Sequence, residues 1–323
     1  MEKRSRSSIP DPKSPRRAMT TPIIEVQNIV KRYGATIAVD DISFIVNEGE
    51  VFGLVGPNGA GKTTTMECVE GSRKLDSGSV KVFGLDPIGD LVALNNRMGV
   101  QLQESQLQKR IKVGEAVQLW TSLYSNPVDG ELLLEQLGLT SKRNTWFMNL
   151  SGGQKQRLFI ALSLINDPDL VFLDELTTGL DPQARRTIWD LILDMKQRGK
   201  TVFLTTHLME EAERLCDRVA IMEHGKIIAL DTPENLTQAH CPEKSVVFST
   251  NSEIDLPQFK QIPNSLSVNK IGEELKLIGQ GDPFISEVIH LIAQQNIHVQ
   301  NFRTELPTLE DVFLKLTGHG MRE

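Results

Sequence analysis

The sequence predicts an α/β fold with a mainly parallel sheet, an antiparallel β subdomain, a helical insertion and a small C-terminal α+β appendage. Three observations predict it. Val51–Val55, Asp169–Asp174 and Thr201–Thr206 are apolar almost throughout, as strands covered on both faces are, and helical segments separate them. Residues of about 105–147 show helical patterns and no strand pattern. Beyond Pro233 the pattern changes to short strands alternating with helices.

Along the chain, Ile23–Val30 and Ile42–Val46 alternate apolar and polar residues, as half-buried strands do. Asn47-Glu48-Gly49-Glu50 turns the chain into Val51–Val55, a Gly-rich loop follows from Gly56 to Gly61, and a helix starts at Lys62. Inside the insertion Val113–Tyr124 and Gly130–Leu139 are predicted helices, broken by Pro127. Pro182–Lys200 is a helix that opens on Pro, ends at Gly199 and carries Ile188, Trp189, Ile192 and Met195 on one stripe. In the appendage, Ser245–Ser249, Leu275–Ile278 and Ile297–Phe302 are predicted strands, and Pro283–Gln295 and Leu309–Leu316 predicted helices.

Composition narrows the function classes. The 323 residues are 39% hydrophobic and 24% charged, with a formal net charge of −7. That acidic balance argues against a partner that is nucleic acid. Three cysteines without paired spacing indicate neither a disulfide framework nor a zinc site, and a reducing cytoplasm is the expected compartment. No run approaches the about 20 apolar residues of a membrane span. Residues 1–21 are basic with no apolar stretch behind them, so a disordered tail is expected rather than a secretory signal.

The residues Gly56-Pro57-Asn58-Gly59-Ala60-Gly61-Lys62-Thr63, continued by Thr64, fit the phosphate-binding loop G-x-x-x-x-G-K-[ST] in its required place between strand and helix. Its glycines let successive N–H groups cradle phosphate oxygens, and the helix N-terminus adds partial positive charge. Lys62 is placed to reach the β- and γ-phosphates and the Thr63 hydroxyl to ligate Mg²⁺. The run Leu170-Val171-Phe172-Leu173-Asp174 ends a buried strand in an acid that can hold the Mg²⁺ shell. Glu175, one residue on, is suited to take a proton from an attacking water.

With Leu150-Ser151-Gly152-Gly153-Gln154 and the following Lys155-Gln156-Arg157, the chain resembles the nucleotide-binding subunit of an ATP-binding cassette (ABC) transporter. Ser151 can cap a helix and, with Gly152 and Gly153, offer a second anion site. The resemblance implies a P-loop ATPase core that works as a head-to-tail homodimer or heterodimer. Each ATP then lies between one subunit's loop and the other's Ser151–Gln154 segment. It further implies that Tyr33 stacks on adenine, that Gln103 senses Mg²⁺ and the γ-phosphate, and that His207 contacts the γ-phosphate. Gly179-Leu180-Asp181 is then the loop that couples the two sites. Gln101 competes with Gln103 for its role, and the spacing from Gly99 favours Gln103. The family commonly has Pro after the catalytic Glu, where this chain has Leu176, a change that restores a backbone N–H.

The resemblance covers about residues 23–238 closely. Leu306–Leu314 is similar to the C-terminal segment of drug-resistance-type ABC exporters. The implied organisation is a tail over 1–21, a nucleotide-binding domain over 22–239 and an accessory α+β domain over 240–323. All nucleotide-facing motifs lie before 240, so removal of the rest is expected to spare nucleotide binding. The implied function is ATP hydrolysis that powers transport, with export as the direction, through separate transmembrane permease subunits at the cytoplasmic face of the membrane. A soluble ABC ATPase is the alternative. The stretch between Lys62 and Ser151 is too short for the long coiled coil of repair-type members, and the chain holds one cassette where translation-type members hold two. Asn269-Lys270-Ile271-Gly272 lacks the acid that a guanine-binding N-K-x-D motif needs.

Overall fold

All five residues of Val51–Val55 are buried, and the molecule is arranged around that strand. The structure is a computed structural model that describes residues 22–101, 106–251, 254–281 and 283–320. The expected tail over 1–21 and Gln103 lie outside the described residues.

In chain order, β1 (Pro22–Tyr33) and β2 (Thr36–Asn47) form a hairpin before the central strand β3 (Val51–Val55). Helix α1 (Lys62–Glu70) and β4 (Ser77–Val82) follow, and β4 pairs with β1 to complete an antiparallel sheet, the expected β subdomain. Next come α2 (Leu91–Asn95), β5 (Met98–Gln101), α3 (Val113–Thr121), α4 (Gly130–Gln136) and α5 (Gly152–Leu164). Val113, Val117, Leu133 and Leu134 of the insertion pack on Leu158 and Leu162 of α5, so the insertion is held by the helix that Ser151 opens.

The core continues through β6 (Leu170–Asp174), α6 (Pro182–Gln197), β7 (Thr201–Thr206), α7 (Met209–Leu215), β8 (Arg218–Glu223) and β9 (Lys226–Asp231). The central sheet runs β5-β6-β7-β3-β8-β9, parallel except for the antiparallel edge strand β9. Alternate residues serve its two faces. Phe52, Leu54, Phe172 and Phe203 pack toward the β subdomain and α1, while Val51, Val55, Val171 and Leu173 pack with the Ile188, Trp189, Ile192 and Met195 stripe of α6. Strands β5, β8 and β9 escaped the sequence reading. The first has four residues, the second has charged ends, and the third is a half-exposed edge whose apolar run, Ile227–Leu230, is short and does not alternate.

The last segment holds α8 (Pro233–His240), β10 (Glu243–Ser249), α9 (Leu256–Lys260), β11 (Ser265–Ile271), β12 (Glu274–Gln280), α10 (Pro283–Gln294), β13 (Gln300–Glu305) and α11 (Leu309–Thr317). Its antiparallel sheet, ordered β11-β12-β10-β13, packs Val246, Phe248, Leu275 and Leu277 on Phe259, Phe284 and Val288. The strand expected over Ile297–Phe302 begins instead at Gln300. Ile297 closes α10 by donating its N–H to Ile292 and is buried beneath that helix, so its apolar signal belongs to the core rather than to the edge strand.

The boundary at about 240 needs an amendment. Leu309, Val312 and Phe313 of α11 are fully buried, and they share the core of α6 and α7 rather than that of the appendage. The Leu309 N–H also donates to the carboxylate of Glu213 on α7. The chain therefore leaves the core of the central sheet after α8 and returns to it with its last helix.

Candidate active site

Two glycines let the loop after β3 press against its neighbours. A side chain at Gly56 would meet the Met222 carbonyl at 2.1 Å, and one at Gly61 the Ala38 carbonyl at 2.1 Å, with Gly61 at φ 104°. Gly61 precedes α1 without any capping side chain, so the first amides of the helix, those of Lys62, Thr63 and Thr64, stay available to an oxyanion. Behind the loop, Gly56 N–H donates to Thr206 of β7 (3.3 Å), and Gly225 N–H donates to the Ala60 carbonyl (2.9 Å). Pro57, Asn58, Gly59 and Ala60 form the crest, with Asn58 and Gly59 exposed.

Beneath the crest, Lys62 Nζ donates to the carbonyls of Gly56 (2.9 Å) and Pro57 (3.0 Å) and lies 3.3 Å from Glu175 Oε1. Burial pulls the Lys62 pKa below the ordinary lysine value, and the Glu175 carboxylate opposes that pull. Thr63 Oγ1 donates to Asp174 Oδ1 at 3.3 Å, across from the end of β6. Burial raises the Asp174 pKa, and the hydrogen bonds from Thr205 and Thr63 act against it. Thr63 and Asp174 thus offer two hard oxygen donors at one point, the donor set that Mg²⁺ takes when phosphate and water fill its other positions. The buried pair of carboxylates against one ammonium also leaves an excess of negative charge that a divalent cation offsets.

Glu175 sits at φ 46°, a left-handed conformation uncommon outside glycine. Its N–H donates to the carbonyl and the hydroxyl oxygen of Thr205, both at 3.2 Å. Its carboxylate stands between Lys62, Thr178 Oγ1 (3.4 Å from Oε2) and His207 Nδ1 (3.4 Å from Oε2). The expected residues Lys62, Thr63, Asp174, Glu175 and His207 therefore converge on one point at the C-terminal ends of β3, β6 and β7, where open parallel sheets bind ligands.

Thr205 was not singled out as a site residue. Its hydroxyl donates to Asp174 while receiving the Glu175 N–H, so it orients both acids. Its signal was a pair of threonines ending a strand otherwise read as apolar. Leu176 is 4% exposed and packs in the core beneath α6. Gln101 ends β5, buried and in register with Leu173.

The other expected residues are placed elsewhere. Tyr33 ends β1 with a half-exposed ring, flanked by the Arg73 guanidinium at 5.3 Å and Lys31 Nζ at 5.8 Å. Ser151 caps α5 in a reciprocal box: its hydroxyl accepts the Gln154 N–H, and the Gln154 side chain accepts the Ser151 N–H. Asp181 caps α6 by accepting from Gln183 and Ala184. Gly153 faces Ala184, and Leu180 lies against Gly152 and Gly153, so the Ser151 segment and the Asp181 loop form one exposed surface. The structure thus holds two assemblies, a phosphate cradle with its acids and an outward-facing helix N-terminus.

Comparison with known proteins matches the ABC transporter family model over residues 39–178. The Nod factor export ATP-binding protein I of Ralstonia nicotianae is 38% identical, the match covering 94% of this chain and 96% of that protein. The protein of the same name from Rhizobium johnstonii is 38% identical over 96% of this chain and 99% of its own length. Among solved structures, a nucleotide-free ATP-binding cassette from an ABC transporter superimposes with a TM-score of 0.61 at 25% identity, over 68% of this chain and 94% of that one. A dimeric cassette in a post-hydrolysis state bound to ADP and Pi gives a TM-score of 0.58 at 25% identity, over 65% of this chain and 98% of that one.

Proposed function

The chain belongs to the ABC transporter family as an ATP-binding, ATP-hydrolysing subunit, and from that premise we propose that it drives export through separate permease subunits at the cytoplasmic face of the membrane. Subunits of this family dimerise and work with membrane components. Among the described residues no helix is long and apolar enough to cross a membrane. The names of the full-length relatives, export ATP-binding proteins, support the direction.

The observation that carries the composite site is the outward-facing Ser151–Gln154 helix start, an anion site turned to solvent beside Asp181. In the proposed pair, each ATP is held by Gly56–Thr64 of one cassette and by Ser151, Gly152, Gly153 and Gln154 of the other. Thr63 and Asp174 hold Mg²⁺, with Gln103 adding to its shell, and the ion offsets phosphate charge. Tyr33 stacks on adenine, His207 and Gln103 contact the γ-phosphate, and Asp181 couples the two sites. The γ-phosphate competes with Glu175 for the Lys62 ammonium, which frees the Glu175 carboxylate to take the proton of the attacking water. Residues 22–239 form the ATPase domain, and 240–323 an accessory domain anchored by α11.

The test is co-expression with the permease subunits and assay of inverted membrane vesicles. The chain is expected to fractionate with the membranes and to drive ATP-dependent uptake into the vesicles. A chain that stays soluble beside its permease, with ATPase activity indifferent to membranes, overturns the proposal.

A further inference from the structure

On the other side of β3 from the acids that end β6, three metal-ligating side chains meet at one point. The donor atoms of Glu223, His224 and His319 all lie within 4.8 Å of one another, the one such group of three among the described residues. Glu223 ends β8 and His224, at φ 46°, makes the tight turn into β9. His319 follows Gly318, which stops α11 at φ 80°. Only the return of α11 to the core brings these residues together.

The backbone and the ring of His319 are both held. The Thr317 hydroxyl donates to the His319 carbonyl at 2.9 Å and receives its N–H at 3.3 Å, and the ring meets Phe313 edge-on at 6.0 Å. Nδ1 lies 3.3 Å from the Gly320 carbonyl, which accepts a hydrogen bond when the proton sits on Nδ1. That tautomer leaves Nε2 without a proton, 2.8 Å from Glu223 Oε1, a buried oxygen with no hydrogen-bond donor. In that tautomer no proton lies between the two acceptors, which leaves the place to a cation. A backbone carbonyl on one histidine nitrogen and a free lone pair on the other is the arrangement that orients metal-ligating histidines.

We propose that Glu223, His224 and His319 bind a zinc-class transition-metal ion. Two imidazoles and one carboxylate are a zinc donor set, with water in the fourth position. Ligand bonds of about 2.0–2.2 Å set tetrahedral donors roughly 3.4 Å apart, so binding opens the 2.8 Å His319–Glu223 pair and closes the wider separations. The ion clamps the C-terminal end of the chain to the β8–β9 turn. That turn backs the phosphate loop, since Gly225 donates to Ala60 and the Met222 carbonyl closes on Gly56. Metal loading therefore fastens the accessory segment to the rear of the nucleotide cradle.

The test is titration of the full-length, chelator-treated chain with Zn²⁺ by calorimetry and with Co²⁺ by visible absorption, excess Mg²⁺ being present to occupy hard oxygen sites. One equivalent is expected to bind, with ligand-field bands of nitrogen-ligated Co²⁺ and a rise in melting temperature on adding Zn²⁺. His319→Ala and His224→Ala are each expected to weaken binding at least about tenfold and to abolish the rise, with the ATP affinity of the metal-free chain unchanged. Equal Zn²⁺ binding by the H224A/H319A double variant, or no binding by the wild type, overturns the proposal. In the latter case the 2.8 Å approach of His319 to Glu223 is an ordinary polar contact and nothing more. If one variant fails to fold, the other still decides, because each removes a different ligand.

Discussion

Lys62 Nζ and Glu175 Oε1 lie 3.3 Å apart, with 3% and 7% of their side chains exposed. The residue assigned to phosphate binding and the one assigned to proton transfer are thus electrostatically linked. Glu175→Gln keeps the shape and loses the acceptor. ATP binding is expected to persist while turnover falls by at least about 10²-fold, and a dimer should accumulate in ATP and Mg²⁺. Nucleotide binding, phosphate release and size-exclusion chromatography check this, and wild-type turnover would remove Glu175 from the role of base.

Thr205 orients both acids, so Thr205→Val strips a hydrogen bond from Asp174 and one from the Glu175 amide. A loss of about 10-fold or more in Mg²⁺ affinity or turnover is expected, in the range for residues that position metal ligands. Thr205→Ser should restore most of it. Equal activity of the Val and Ser variants would mean that the hydroxyl is only packing.

Ser151→Arg places a guanidinium on the exposed start of α5 and removes a cap worth about 1 kcal/mol. Binding of ATP by a single cassette should change little, because the phosphate cradle is built from other elements. Hydrolysis in the presence of the permease should disappear. Normal hydrolysis would contradict a site shared between two cassettes.

Phe313 is fully buried in the core shared with α6 and α7. Phe313→Ala is expected to cost about 3–5 kcal/mol, read as a lowered denaturation midpoint of the ATPase domain. Truncation after residue 240 removes the whole of α11, so the earlier expectation of a freely separable appendage gives way to one of a destabilised core. A truncated chain as stable as the full one would show α11 to be dispensable.

Burial raises the Glu70 carboxyl pKa to about 7, with the Ser72 hydrogen bond acting the other way. The folded state therefore holds this proton more tightly than the unfolded chain does. The stabilisation is full below the ordinary carboxyl value of about 4.5 and is lost as pH rises through about 7. The full swing is about 3 kcal/mol by order of magnitude. Glu70→Gln should flatten the stability–pH curve between those values and raise stability at pH 8. Parallel curves for the two proteins would show that Glu70 does not carry this dependence.

The chemistry of the ATP site could be read before folding wherever it is written in consecutive residues. Gly56–Thr64, Asp174-Glu175 and Ser151–Gln154 each occupy a single turn or strand end, so local backbone geometry sets what they do. The sheet around them was legible through β3, β6 and β7, because burial on both faces forces continuous apolar runs. Contacts between distant segments were not legible. The hydroxyl of Thr205 bridges two acids only because β7 lies beside β6, and the Glu175–Lys62 pair exists only because β7 stands between β6 and β3 and sets their spacing. The apolar stripe of α11 was visible in the sequence, but the surface it covers was not, since an amphipathic helix states that it has a partner without naming it. Tertiary structure chose α6 and α7. In doing so it carried His319 to Glu223 and His224, a meeting that no spacing in the chain encodes.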